Sequence, residues 1–145
     1  MSDCCLKFIE VGTGIEVRTI AVREPAGAMP GVLWLGGFKS DMKGPKAEAL
    51  DAWAGDKGRA MIRFDYSGHG ESGGAFSDGT IGRWLAESLA VFDACCRGPQ
   101  IVIGSSMGGW LALLLARALA QRAVAKATIA GLVLIAPAVD FTEEL

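Results

Sequence analysis

The segment Gly104-Ser105-Ser106-Met107-Gly108 sets a serine between two glycines, each two residues away. This G-x-S-x-G pattern follows the apolar stretch Gln100 to Ile103 (QIVI) and opens a long apolar run. A serine on such a strand-to-helix turn has its hydroxyl projecting above the sheet, where it can attack a carbonyl carbon. The glycines leave room for the tight turn. The helix N-terminus that follows supplies backbone N–H groups and a dipole that favour negative charge. Ser106 is therefore the candidate nucleophile. A Gly-Ser-rich turn can also simply join a strand to a helix; the strand before it and the apolar run after it favour the chemical reading.

Ester cleavage needs donors for the developing oxyanion. Leu35-Gly36-Gly37-Phe38 ends an earlier apolar stretch, which is where this architecture takes its second donor. The backbone N–H groups of Phe38 and Met107 are the candidate oxyanion hole. Taken alone, the Gly36-Gly37 pair also reads as an ordinary turn.

A serine hydroxyl needs a base to accept its proton, usually a histidine oriented by a carboxylate. The chain holds one histidine, His69, and it precedes Ser106, whereas the order for this motif is Ser, acid, His. His69 reads mainly as a loop-stabilising residue near the site. Asp140 follows the last strand and is a candidate acid, or a solvated loop or helix-cap aspartate. Asp65 reads as a fixer of the loop after its strand.

The elements that must position these residues alternate. Phe8 to Val11 and Glu16 to Val22 predict a hairpin around Gly12-Thr13-Gly14. Gly31 to Leu35 (GVLWL) reads as a buried strand. A helix follows from Pro45, with Ala47, Leu50 and Trp53 as its apolar stripe and Gly55 at its end. Ala60 to Phe64 is a strand, and Ser67 to Gly79 a Gly/Ser-rich loop. Ile81, Trp84, Leu85, Leu89 and Phe92 recur at helical spacing and predict a helix over 81–96. Gln100 to Ile103 is a strand, Met107 to Gln121 a buried helix, and Gly131 to Ile135 (GLVLI) a strand apolar on both faces. The alternation predicts an α/β class with a mostly parallel sheet and helices on both faces. Sites in such sheets form at the carboxyl ends of strands, where the glycine-rich segments lie.

The loop Phe64-Asp65-Tyr66-Ser67-Gly68-His69-Gly70-Glu71-Ser72 adds a D-x-x-G-x-G-x-S pattern upstream of G-x-S-x-G. Together these motifs resemble the α/β-hydrolase superfamily. The segments FDYSGHGES, GPQIVIGSSMGGWLALLLA and LWLGGFKSDMKG resemble one branch of it, across roughly residues 30 to 136. That branch holds acyl-protein thioesterases and acyl-glucuronide esterases related to a mitochondrial depalmitoylating enzyme. The resemblance implies an α/β-hydrolase fold and cleavage of esters or thioesters through an acyl-Ser106 intermediate. Its substrates would be small acyl conjugates or acyl chains on protein cysteines, with no metal or organic cofactor. It also implies Ser106 as nucleophile and Phe38 and Met107 as oxyanion donors. The family's acid and histidine come after strands absent from this sequence. Residues 1–145 are accordingly expected to form an incomplete domain, the N-terminal part with its C-terminal portion absent. The alternative is a non-catalytic α/β fragment or degenerate copy that binds hydrophobic ligands or partner chains.

Composition bounds the rest. The chain has 145 residues, 51% hydrophobic and 21% charged, enough for a packed core in one domain. A net charge of -2 with no basic run gives no reason for a nucleic-acid partner. No G-x-G-x-x-G follows the first parallel strand and no G-x-x-x-x-G-K-[ST] occurs, which argues against a nucleotide site. The longest apolar run, Gly108 to Ala116, is far shorter than the roughly 20 residues of a membrane span. The cysteines come as Cys4-Cys5 and Cys95-Cys96, a spacing suited to reduced thiols rather than metal ligation. Met1-Ser2-Asp3 opens neither a secretory signal nor an Arg-rich transit peptide, so the expected location is cytoplasmic.

Overall fold

A computed structural model describes residues 5–122 and 127–140. Among the described residues, six strands form one sheet in the order β1-β2-β4-β3-β5-β6. They are β1 (Leu6–Val11), β2 (Arg18–Arg23), β3 (Ala28–Leu35), β4 (Arg59–Phe64), β5 (Gly98–Ser105) and β6 (Ala127–Ile135). β1 and β2 form an antiparallel hairpin with Val11 opposite Arg18, and β2 runs antiparallel to β4. The other pairings, β3 with β4, β3 with β5 and β5 with β6, are parallel. The hairpin loop is longer than Gly12-Thr13-Gly14, because a 3-10 turn at Gly14–Glu16 delays the second strand.

Three helices connect the parallel strands: α1 (Pro45–Asp56), α2 (Ile81–Cys95) and α3 (Met107–Ala120). β3 shows why they cover both faces. Its apolar run alternates sides, as successive strand residues must. Leu33 and Leu35 pack with Phe92 of α2 and Leu111 and Leu115 of α3. Val32 and Trp34 pack on the other side with Ala47 and Ala54 of α1. The two-faced sheet expected from the sequence is the observed architecture.

Three local expectations shift. Gly55 lies inside α1, and the helix ends at Asp56 with Gly58 beyond it at φ 67, a conformation glycine takes without steric penalty. Trp53 is 45% exposed, and Ala54 replaces it in the buried stripe. α3 is not apolar-buried all round: Met107, Leu111, Ala112 and Leu115 are buried while Leu113 is 38% exposed. Among the described residues β6 is the sheet edge, with Leu132 and Val133 exposed. No helix among the described residues is long and apolar enough to cross a membrane.

Candidate active site

Ser106 stands between the end of β5 at Ser105 and the start of α3 at Met107. Its backbone is at φ 56 and ψ -120, a region that side-chain-bearing residues rarely occupy. Close packing enforces the turn. A Cβ on Gly104 would meet the carbonyl of Gly108, and one on Gly108 would meet the carbonyl of Leu35. Both glycines of G-x-S-x-G are therefore required by the approach of β5, α3 and β3, not by flexibility.

Hydrogen bonds hold the strained peptide. The Ser106 N–H donates to the Ile135 carbonyl at 3.0 Å. The Ser106 carbonyl accepts from the N–H of Gly109 at 2.9 Å and of Ala138 at 3.0 Å. The end of β6 and the turn after it thus clamp the serine. Sequence reading missed this clamp, because nothing in Ile135 or Ala138 marks a role exerted entirely through backbone.

The loop after β3 meets Ser106 from the other side. Gly37 lies against it: a Cβ there would sit 3.5 Å from the Ser106 Cβ. Gly36, Gly37, Phe38, Ser40, Ser105 and Ser106 line a cleft of about 230 Å³ that extends to the start of α1. Met107 is the first residue of α3, where N–H groups point out of the helix without an intrahelical acceptor. The structure thus brings Ser106, Met107 and the Phe38 loop together at the carboxyl ends of β3 and β5.

The loop after β4 braces the loop after β3. Asp65, 2% exposed, accepts from the N–H of Met42 and of Glu71, both at 2.8 Å. Burial pushes its carboxyl above the usual aspartate range, while those two N–H groups pull it back. The Tyr66 hydroxyl donates to the Gly36 carbonyl at 2.8 Å. Burial, with the nearby Glu87 charge, raises the Tyr66 phenol and keeps it a donor. Beneath Met42, Arg63 is fully buried and donates to its carbonyl at 2.7 Å. Deeper still, Arg18 and Glu87 form a buried ion pair at 2.8 Å, and Glu87 also accepts from the Ser67 N–H at 2.7 Å. These buried charges were not legible in the sequence, where a charged residue in a strand reads as surface.

The candidate base and acid fare differently. His69 is 4% exposed and both its ring nitrogens face backbone: Nδ1 lies 3.0 Å from the Ser67 carbonyl and Nε2 3.1 Å from the Lys39 N–H. With both nitrogens committed, it is a loop-stabilising residue and not a base for Ser106. Asp140 is exposed, at φ 58. Among the described residues no hydrogen bond reaches the Ser106 hydroxyl, and no group of three or more His, Cys, Asp or Glu could hold a metal ion.

Known proteins are similar to this chain in sequence and fold. A mouse palmitoyl-protein thioesterase, ABHD10, which is mitochondrial, is 40% identical over 110 residues, covering 76% of this chain and 37% of the relative. The crystal structure of a hydrolase from Agrobacterium vitis S4 superposes with a TM-score of 0.93 at 51% identity, over 96% of this chain and 54% of that one. Alpha/beta hydrolase domain-containing protein 10 from mouse superposes with a TM-score of 0.84 at 36% identity, over 96% of this chain and 52% of that one. The chain therefore spans little more than a third of the mouse thioesterase's length. The mitochondrial place of that relative overturns the cytoplasmic expectation. That expectation rested on how Met1-Ser2-Asp3 opens, and the opening residues of a sequence are a poor guide to its address. The Hydrolase_4 family, described as serine aminopeptidase, S33, matches residues 45–145. On that match and these superpositions, the chain belongs to the Hydrolase_4 family and has the α/β-hydrolase fold.

Proposed function

We propose that this chain carries the nucleophile of an ester or thioester hydrolase, with Ser106 forming the acyl intermediate. The observation that carries the reading is the backbone of Ser106, held at φ 56 where β5 meets α3, with Gly37 packed against it. The Ser106 hydroxyl attacks the carbonyl carbon of the substrate and gives its proton to a base. The resulting oxyanion takes hydrogen bonds from the N–H groups of Phe38 and Met107. Collapse expels the thiolate or alkoxide, and water then releases the acid from Ser106. The acyl group of a protein or a small molecule is the substrate, in keeping with a relative named a palmitoyl-protein thioesterase. That name favours thioesters over the peptides that the family description suggests.

The base comes from outside the described residues, since His69 is committed to Ser67 and Lys39. The same observation favours a second reading, in which the chain binds acyl groups without turning them over. One experiment separates the two: hydrolysis of an octanoyl thioester by the chain, with and without added imidazole as external base. Turnover that imidazole raises and that Ser106→Ala abolishes supports the hydrolase. Binding without turnover in both conditions supports the second reading.

A further inference from the structure

We propose that His69 is a positioning residue for the oxyanion-hole loop, acting through an unprotonated Nε2 that holds the peptide between Phe38 and Lys39. The inference rests on the hydrolase reading above and assigns a role within that site. A carbonyl can only accept, so the contact of Nδ1 with the Ser67 carbonyl at 3.0 Å places the ring proton on Nδ1. Nε2 is then the acceptor for the Lys39 N–H at 3.1 Å. That N–H belongs to the planar peptide whose carbonyl is Phe38's, so fixing it fixes the plane next to the proposed donor.

The need for an anchor is visible at Lys39, whose φ of 61 is rare for a residue with a side chain. The ring itself has no freedom to turn. It packs edge-on to Trp84 and Phe76, with centroids 5.3 Å away, and to Tyr66 at 5.6 Å. Hydrogen bonds at Gly36, Lys39 and Met42 tie the loop after β4 to the loop after β3. The one from His69 lies adjacent to Phe38.

The test uses the full chain with imidazole present and follows the rate at which a fluorophosphonate probe labels Ser106. His69→Leu should slow labelling about tenfold, since a misplaced oxyanion donor costs at least that much. His69→Gln, whose side-chain carbonyl can accept from the Lys39 N–H, should recover to within about threefold, with the two variants melting within a few degrees of each other. Wild-type labelling by His69→Leu would overturn the proposal. So would equal loss in both variants alongside equal loss of melting temperature, which would reduce His69 to a space filler. If wild type does not label at all, the hydrolase reading fails, and long-range proton–nitrogen NMR of the imidazole decides the role of His69. A protonated Nδ1 with a bare Nε2, and displaced Phe38 and Lys39 amide signals in His69→Leu, would sustain it. A proton on Nε2 would overturn it.

Discussion

The N–H of Ser106 donates to the carbonyl of Ile135 at 3.0 Å, so the last residue of β6 fixes the backbone of the candidate nucleophile. The bond is completed from the other side by the Ala138 N–H on the Ser106 carbonyl. Ala138→Pro removes that donor without touching the serine. It should destabilise the fold by about 0.5–1.5 kcal/mol, the net contribution of one hydrogen bond, since the exposed Ser106 carbonyl keeps the Gly109 N–H. Urea unfolding followed by circular dichroism measures this directly. Probe labelling of Ser106 should fall in parallel.

Gly108→Ala should be far worse than an ordinary helix substitution, although alanine is the better helix former. The added methyl would meet the Leu35 carbonyl, which is backbone and cannot swing aside. Overpacking of this kind destabilises by about 1–3 kcal/mol or more. Gly82, in the exposed first turn of α2, is the control, since an added Cβ there would meet only the Thr80 Oγ1, at an ordinary 4.0 Å. Gly82→Ala should be neutral or stabilising in the same melt.

Tyr66→Phe leaves the half-buried Gly36 carbonyl without its phenol donor. A stability loss of about 1–3 kcal/mol is expected. Because Gly36 lies two residues before Phe38, labelling of Ser106 should slow as well. Unchanged stability with unchanged labelling would show that the phenol does not brace the loop.

The buried pair of Arg18 and Glu87 should show the asymmetry of ion pairs removed from water. Glu87→Gln leaves a buried guanidinium without its counter-charge, at a cost of about 3–5 kcal/mol. Arg18→Met with Glu87→Gln should cost less than Glu87→Gln alone, because no uncompensated charge remains. A double-mutant cycle in urea gives the coupling, and strictly additive losses would contradict it.

Two thiols supply a pH dependence. Burial first, then neighbouring negative groups, pushes Cys95 up to about 11 and Cys96 up to about 12. Both values rise on folding, so the fold favours the neutral thiol. That contribution is present below the unfolded thiol value of about 8.5 and is lost as pH rises through about 11 and then about 12. At pH 8 both thiols should alkylate with iodoacetamide far more slowly than a free cysteine, Cys96 more slowly than Cys95, by peptide mass spectrometry. Alkylation at the free rate in the folded chain would refute this.

Much of the frame was legible in the sequence. β3 and β5 are short apolar runs that end in glycines, and the helices between the parallel strands announce themselves by periodic Trp84, Leu89 and Phe92. The G-x-S-x-G turn was legible because it sits between an apolar strand and an apolar run, and the packing there requires both glycines. What escaped was tertiary. Trp53 continues an apolar helical stripe yet faces outward, since α1 meets the sheet through the smaller Ala47 and Ala54. Arg23 and Arg63 are fully buried in neighbouring strands, a placement made tolerable by the carboxylates of Glu71, in the loop after β4, and Asp51, in α1. The contacts of His69 with the Lys39 N–H and of Ser106 with the Ile135 carbonyl join residues roughly 30 apart and end on backbone atoms, which no residue pattern encodes.

The measurement that bears most directly on the role of Ser106 is fluorophosphonate labelling of the purified chain, with imidazole supplied as base and the modified peptide located by mass spectrometry. Label on Ser106, increased by imidazole and absent from Ser106→Ala, is the expected result. Undiminished label in a folded Ser106→Ala variant, or none on Ser106 in the folded chain with imidazole present, would contradict its assignment as the nucleophile.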